Sequence, residues 1–562
     1  MAFDGIVTKG VVTELNQVLK GAKVNKVLQP NKNEIVLDVY SKDGGKYNVL
    51  MSILPEGCRM HLTTHLKSNP SNPFHFCMLL RKYLVGSKIL EISNYDLERT
   101  IEIEFEARNE LNDLVKRRLY IEIMSRQSNI ILTNENNIII DCLKHFEDDK
   151  RPRLPASPFL FTPILKSSFI ELETVDDFLE LVSENQEEKL SVKLPDIFIG
   201  FSKNFVLKTL EILEIDDLDF TIADLEKLYQ YLKKVIENFD VHHVKAEIFG
   251  KDYTLIHSSK TEDSLEINHF LDEFYFEKEQ RTLFHSSKNN LFKIISATLK
   301  KVDKKLENIN QKLKECDNMD TYRLYGELLT ANLYRLDGEQ NLEKVEVFNY
   351  YTNENIIIPL DKKYHVSKNV ERFYKKYNKL KNTLEIVSEQ KKDAEKEIDY
   401  IESIIYSLES AKTMEEINQI YHEISENFTN KKEMNFKFQN GNNKKKQEEM
   451  KIQEYDIQGY KVYVGKNNSQ NDYLTFSIAA RDDLWFHAQK IHGSHVILKT
   501  MGHDEVPEEA IFEAAKLAKE NSKGADSTVV PVDYCKAKFV KRAPSRKLGM
   551  VNYTNFSTIL VK

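Results

Sequence analysis

The chain has 562 residues, too many for one hydrophobic core; at a typical domain size of about 150 residues it divides into roughly three to five modules. Hydrophobic residues at 41% suffice for packed cores, while 30% charged residues and a mean hydropathy of -0.49 point to long solvated helices beside the compact units. A formal net charge of -8 excludes a chain coated in positive charge, but charges are screened beyond about 8–10 Å, so local patches decide whether RNA is bound.

The first portion, to about residue 165, mixes helix and strand signals and reads as an α+β domain. Val7 to Leu19 has helical periodicity. Glu34–Tyr40, Thr100–Phe105 and Asn129–Thr133 are rich in β-branched residues, with alternation clearest at Ile101, Ile103 and Phe105. The run Arg151–Pro158, followed by Pro163, cannot sustain ladders or helix, because each proline removes a donor and restricts its predecessor. It marks a boundary.

From about 169 to 240 the pattern is helical, with Thr174–Val182 and Ile222–Phe239 on either side of Ile197–Ser202. Gly200 before Ser202 and a new helix suits a helix-hairpin-helix, whose amides at the helix start receive phosphate; a plain connection between helices is the more frequent meaning of such a glycine turn. In the middle, Phe292, Ile295, Leu299, Val302, Leu306, Ile309, Leu313 and Cys316 recur at heptad spacing. A second seam runs through Phe373, Tyr377, Leu380, Leu384, Val387, Ala394, Ile398, Ile401, Ile405 and Leu408, interrupted at Lys391. Two seams in one chain predict an antiparallel hairpin with a second arm of roughly 50 Å, although a heptad pattern also serves dimerisation. Val345–Asn349 and Ile356–Leu360 suggest a small strand pair near its tip.

A polar linker over Asn435–Lys446 leads to a last compact domain from about residue 452. Tyr460–Val464 and Asp526–Val530 read as strands. Pro507–Ala518 reads as an amphipathic helix whose proline and acidic first turn suit the positive end of its dipole.

Two groups in this domain could carry chemistry. The first is Asp483, Trp485, Phe486 and His487, with Ser494 and His495 shortly after; Trp485 is the only tryptophan. Its aromatic faces suit stacking on unpaired bases, with histidine and serine reaching phosphate or sugar. A buried Trp-Phe anchor is the more frequent role of such residues, and His487, His492 and His495 lack the cysteine or carboxylate pattern that would favour a metal. The second is the run Lys536–Lys547, in which Lys536, Lys538, Lys541, Arg542, Arg546 and Lys547 are basic and none is acidic, a pattern that tracks phosphates. In the first domain, Glu98-Arg99 and Glu122-Ile123-Met124 stand out, because an arginine beside a carboxylate can grip phosphate or a base edge. No P-loop, G-x-S-x-G, H-E-x-x-H or G-x-G-x-x-G after a strand is present, which favours binding over catalysis. The cysteines Cys58, Cys77, Cys142, Cys316 and Cys535 are dispersed reduced thiols rather than a metal site, and no leader or membrane span is legible. The expectation is a cytoplasmic protein without cofactor, metal or membrane.

The chain resembles the NFACT family. In the last domain the matching runs are Val464–Asp472, Asp483–His487, Gly493–Val496, Glu513–Ala518, Val532–Tyr534 and Gly549–Tyr553. Phe3–Gly5, Glu122–Met124, Tyr325–Leu329 and Phe373–Tyr377 extend the resemblance along the whole chain. It implies a multidomain α+β fold: a formamidopyrimidine-glycosylase-like NFACT-N domain at 1–168 that binds tRNA and a helix-hairpin-helix module at 169–245. A coiled-coil middle follows at 262–440, with an insertion near 335–365, and an RNA-binding domain at 450–562. Carried over by position, the tRNA-binding residues are Asp4, Glu98, Arg99, Glu122, Ile123 and Met124. Glu98 stands where the family has aspartate, and Ser125 and Gln127 where it commonly has glycine and histidine. Ala2 stands where the glycosylases use a proline nucleophile, which disfavours base excision.

The resemblance further implies binding of 50S ribosomal subunits, rRNA and protein alike, that are obstructed by peptidyl-tRNA. Recruitment of alanyl-tRNA and untemplated alanine tailing of the stalled nascent chain would follow, with a small assisting RNA-binding protein as a further partner. Peptide bonds would be made by the subunit. Some members carry a fibronectin-binding label, so a surface adhesin is the alternative, as is a helical scaffold without RNA.

Overall fold

A computed structural model describes residues 2–148, 151–161, 165–183, 188–236, 239, 243–258, 265–336, 342–428, 450–503 and 505–562. Pro163 and the linker Asn435–Lys446 lie outside these. The chain divides into two compact units, Met1–Gln280 and Arg281–Lys562.

The first unit begins with α1 (Gly5–Leu19), capped by Asp4, whose carboxylate accepts the Val7 amide. Antiparallel strands follow: β1 (Lys23–Asn31), β2 (Glu34–Tyr40), β3 (Lys46–Ser52) and β4 (Arg59–Leu62). Then come α2 (His75–Leu84), β5 (Lys88–Asn94), β6 (Thr100–Arg108), β7 (Leu114–Glu122), β8 (Asn129–Thr133) and β9 (Ile139–Cys142). They form a nine-stranded sheet in the order β4-β3-β2-β1-β5-β6-β7-β8-β9. Ile101, Ile103 and Phe105 on β6 are buried on one face, as their alternation requires. The proline-rich run contributes only isolated bridges, such as Phe146 to Arg153 and Ile138 to Pro158.

Four helices follow: α3 (Val175–Ser183), α4 (Leu190–Ile197), α5 (Lys203–Leu213) and α6 (Ile222–Ile236). A phenylalanine cluster of Phe169, Phe178, Phe198 and Phe201 packs them together with Tyr229. The turn between α4 and α5 contains Gly200 at φ +80, and Ser202 caps α5 by accepting the Phe205 amide. A hairpin of β10 (Val244–Phe249) and β11 (Asp252–His257) precedes α7 (Glu266–Cys316), whose first turns belong to this unit. The buried Glu14 of α1 accepts the Ile267 and Asn268 amides at 3.0 Å each and so caps the start of α7.

In the second unit α7 runs beside α10 (Val366–Ser410). Between them lie α8 (Met319–Ala331), the single turn α9 (Leu333–Leu336) and a hairpin of β12 (Lys344–Asn349) with β13 (Glu354–Pro359). Leu291, Ile295, Val302 and Ile309 pack on Val387, Ala394, Ile401 and Leu408, so the second arm of the same chain fills the seam. The pairing is antiparallel: Lys288 donates to the Glu409 carbonyl and Lys305 faces Glu397. The first turns of α10 meet α8 instead, where Phe373 and Val370 join Leu328 and Leu329. Gly326 makes this approach possible, because a Cβ there would lie 3.0 Å from the Tyr374 ring.

Then α11 (Met414–Asn427), held by a capping box of Thr413 and Glu416, precedes the terminal domain. Its elements are β14 (Gln453–Ile457), β15 (Tyr460–Val464), α12 (Asn468–Tyr473), β16 (Leu484–Ala488), β17 (Val496–Leu498), α13 (Glu508–Glu520), β18 (Val530–Lys536), β19 (Val540–Arg542), β20 (Val551–Tyr553) and β21 (Ser557–Val561). Six strands form an antiparallel sheet, β14-β15-β17-β16-β18-β21, and β19 pairs with β20 as a separate ribbon. The alanines of α13, Ala510, Ala514, Ala515 and Ala518, lie on one sheet face. One strand expectation is corrected: Asp526 lies in a turn, Ser527 to Val529 in bent and irregular backbone, and the strand starts only at Val530. The Ser527 amide instead donates to the Gly524 carbonyl at 2.9 Å, a local turn that delays the strand.

Candidate nucleic-acid interfaces

In the first unit, sequence-distant residues converge on one pocket. Asp4, Leu97, Glu98 and Arg99 line it from one side; Lys166, Asp196, Gly200, Ser202 and Lys203 line it from the other, around a volume of about 460 Å³. Backbone packing fixes this arrangement. The Gly5 amide donates to the Gly200 carbonyl at 2.9 Å, and a Cβ on Gly5 would lie 2.0 Å from the Leu97 oxygen and 2.4 Å from the Gly200 Cα. A Cβ on Gly200, itself at positive φ, would lie 2.4 Å from the Leu97 Cβ. Three segments therefore meet only because both positions are glycine.

Asp4 bonds in two directions. Its Oδ1 accepts the Val7 amide at 2.9 Å and its Oδ2 accepts the Ser202 hydroxyl at 2.5 Å, which ties the start of α1 to the start of α5. Burial pushes its carboxyl up to about 6, against the pull of Ser202, the Val7 amide, the N-terminus and Arg99. Glu98 and Arg99 sit on a tight turn between β5 and β6 in which Asp96 has φ +48. The Asn94 amide holds that turn by donating to the Asp96 and Glu98 carbonyls. Both side chains are half-buried. Lys166, Asp196 and Lys203 were missed by motif reading. The available signal was Lys203 directly after the capping Ser202.

The Glu122-Ile123-Met124 motif lies next to this turn, since the Ile123 amide donates to the Arg99 carbonyl at 3.0 Å. Its first two side chains, however, point inward. Glu122 is 2% exposed and Ile123 0%, and Arg153 grips the Glu122 carboxylate with Nε at 3.1 Å and Nη2 at 2.6 Å. Glu122 and Ile123, expected from the resemblance to bind tRNA, are thus buried side chains, and a buried carboxylate must keep its cation. Met124 is half-buried and opens a turn in which Ser125 takes φ +53.

The terminal domain shows the same division. Trp485 and Phe486 are fully buried, on opposite faces of the sheet because they are neighbours on β16. Phe486 stacks on Tyr534, while Trp485 contacts His487, His495 and Tyr553. Base stacking by this pair is thus corrected to core packing. Asp483 is also buried, accepting from Thr500 and Ala480 and pairing with Lys499 at 2.7 Å. Ser494 is buried, its amide donating to the Asn521 carbonyl. His495 bonds Thr475 through Nδ1 at 2.7 Å, and burial holds its imidazole well below the ordinary range. His487 is half-buried and pushed down to about 4 by burial and by His492. With His492 and Tyr553 it lines a cavity of about 420 Å³ beside Asp399 and Ser403 of α10.

The basic run lies on the surface of the domain, from the end of β18 through β19 to the following loop. Lys541 and Arg546 are exposed. Lys536 and Lys538 face Asp482, at 3.4 and 2.8 Å. Arg542 pairs with Asp472 while covering the Phe476 ring, and Lys547 lies 4.5 Å above the Tyr400 ring.

Among the described residues, two groups have metal-compatible spacing, Asp141-Cys142-His145 and His65-Asp272-Glu273; the histidines of the terminal domain form neither. No described helix is long and apolar enough to cross a membrane.

Comparison with known proteins extends these observations over the full chain. The Rqc2 homolog RqcH of Bacillus subtilis (strain 168) is 35% identical over 571 residues, covering 100% of this chain and 98% of that protein. The Rqc2 homolog RqcH of Streptococcus pneumoniae (strain D39) is 30% identical over 572 residues, covering 100% and 98%. The human ribosome quality control complex subunit NEMF is 24% identical over 379 residues, covering 60% of this chain and 33% of that protein. The solved N-terminal portion of a Streptococcus suis fibronectin/fibrinogen-binding protein covers 49% of this chain and 99% of its own at 25% identity, with a TM-score of 0.41. The family description NFACT N-terminal and middle domains matches residues 4–448, and NFACT protein RNA binding domain matches residues 451–553. From both matches and the full-length relatives, the chain belongs to the NFACT family.

Proposed function

We propose that the protein is a ribosome quality-control factor that binds 50S subunits obstructed by peptidyl-tRNA, recruits alanyl-tRNA and directs untemplated alanine tailing of the stalled chain. Full-length similarity to Rqc2 homologs and partial similarity to NEMF support this reading. One observation carries the tRNA assignment: Asp4, Glu98 and Arg99 meet the capped start of α5 in a single pocket.

The pocket offers the chemistry an RNA backbone needs. Amides at the start of α5, with Lys203 in its first turn, present donors and a positive helix end to a phosphate. Arg99 supplies a planar fork for phosphate or a base edge. Glu98 accepts a base amine, one methylene further out than an aspartate would. Asp4 acts indirectly, holding Ser202 and α1 in register. In the terminal domain, Lys541 and Arg546 with their basic neighbours track rRNA phosphates. Peptide-bond formation stays with the large subunit, and a small RNA-binding protein assists in the cytoplasm.

Purified protein is expected to sediment with obstructed 50S subunits, and sequencing of copurified RNA to return alanine tRNA. Arg99→Ala should abolish tRNA recovery and tailing while sedimentation persists. Unchanged tRNA recovery in that variant would overturn the pocket assignment.

A further inference from the structure

The motif Asn467-Asn468-Ser469-Gln470 of the terminal domain lies against α10 and α11 of the same unit. Asn467 donates to Gln419 on α11 at 2.7 Å, and Gln470 donates to the same oxygen at 3.1 Å. Asn468 donates to Ser403 of α10 and to Glu423 of α11, each at 2.9 Å. Gly549 seats on Asn468, where a Cβ would lie 2.9 Å from Oδ1.

At the centre is Glu423, 1% exposed. Its Oε1 accepts both the Asn468 amide and the Tyr400 hydroxyl, the latter at 2.7 Å. Its Oε2 is buried without a hydrogen-bond partner among the described residues. The other charged groups nearby do not neutralise a carboxylate. From α11 comes Glu426, an anion. From the terminal domain, the Lys547 ammonium lies over the Tyr400 ring rather than on Glu423. A carboxylate with two donors on one oxygen and, among the described residues, none on the other and no cation in contact is poorly satisfied in low dielectric; a protonated acid is not charged at all.

We propose that Glu423 is a positioning residue that fastens the RNA-binding domain to α10 and α11 as an uncharged carboxylic acid, and that ionisation loosens this joint. The claim is independent of which RNA the domain binds.

Burial raises the Glu423 carboxyl to about 7, against the pull of Asn468 and Tyr400 and with a push from Glu426. An acid raised in the closed joint favours closure most below its ordinary value of 4.5. Between there and about 7 the opened state ionises first, so closure weakens with rising pH; above that the dependence flattens. The opening equilibrium should therefore increase roughly a hundredfold from pH 5 to pH 8.

His492 provides a competing source of pH dependence, because it faces Glu402 at 3.5 Å and Asp399 at 3.8 Å across the same joint. The test is hydrogen exchange by mass spectrometry on the full chain, with protection factors for α11 and α12 from pH 5 to pH 8 and α1 as internal reference. Wild type should lose protection through this range. Glu423→Gln, an uncharged isostere, should stay protected throughout, Glu423→Ala should be open throughout, and His492→Gln should keep the wild-type step. A flat wild-type profile, a step that persists in Glu423→Gln or vanishes in His492→Gln, or a Glu423→Gln joint as open as Glu423→Ala would each overturn the proposal.

Discussion

The pocket around Arg99 and the cluster around Trp485 are built from equally recognisable motifs, yet only the first presents its side chains outward. Glu98 and Arg99 sit on a turn, where a backbone held by Asn94 leaves side chains half-exposed. Trp485 and Phe486 sit in a central strand covered on both faces. An aromatic motif on such a strand specifies a core, and the ligand-facing residues come from the turns and ribbons it supports. Glu122 follows the second pattern within the first unit, being bound to Arg153.

Variants can break this contrast. Trp485→Ala should have the largest effect, losing about 3–5 kcal/mol of stability by emptying a fully buried site; a denaturant midpoint near wild type would place the indole outside the core. Arg153→Ala should cost about 3 kcal/mol by leaving the buried Glu122 carboxylate with only the more distant Arg151 guanidinium at 3.9 Å, measured as a fall in thermal midpoint of the first unit. Gly200→Ala should cost about 1–3 kcal/mol through a strained positive φ and the overlap with Leu97, and should weaken tRNA binding with it. Arg99→Ala, on a half-buried turn, should cost less stability than Gly200→Ala while removing tRNA. Smallest of all, Lys541→Ala and Arg546→Ala should each reduce the slope of log affinity for single-stranded RNA against log salt by about 0.7, with no change in unfolding.

Local patterns were legible where one physical period dominates. The alternation of Ile101, Ile103 and Phe105 announced a half-buried strand, and the heptads of Ile295, Val302 and Ile309 announced a helical seam. The same periodicity was silent on the point where α8 replaces α7 opposite Phe373, because that exchange depends on a break at Asp317 and on the small face of Gly326. Asp4 could be read as a helix cap, but its bond to Ser202 crosses 198 residues of sequence. The joint at Glu423 left no local trace, since its partners lie on α10 and in the terminal domain.

By itself, the sequence determined the order of elements, the seams and the family, because these depend on residue spacing and on runs of matching residues. Tertiary structure alone decided which motif residues face outward. Exposure is set by what packs across a residue from distant segments: Arg153 over Glu122, Tyr553 over Trp485, and Asn468 over Glu423.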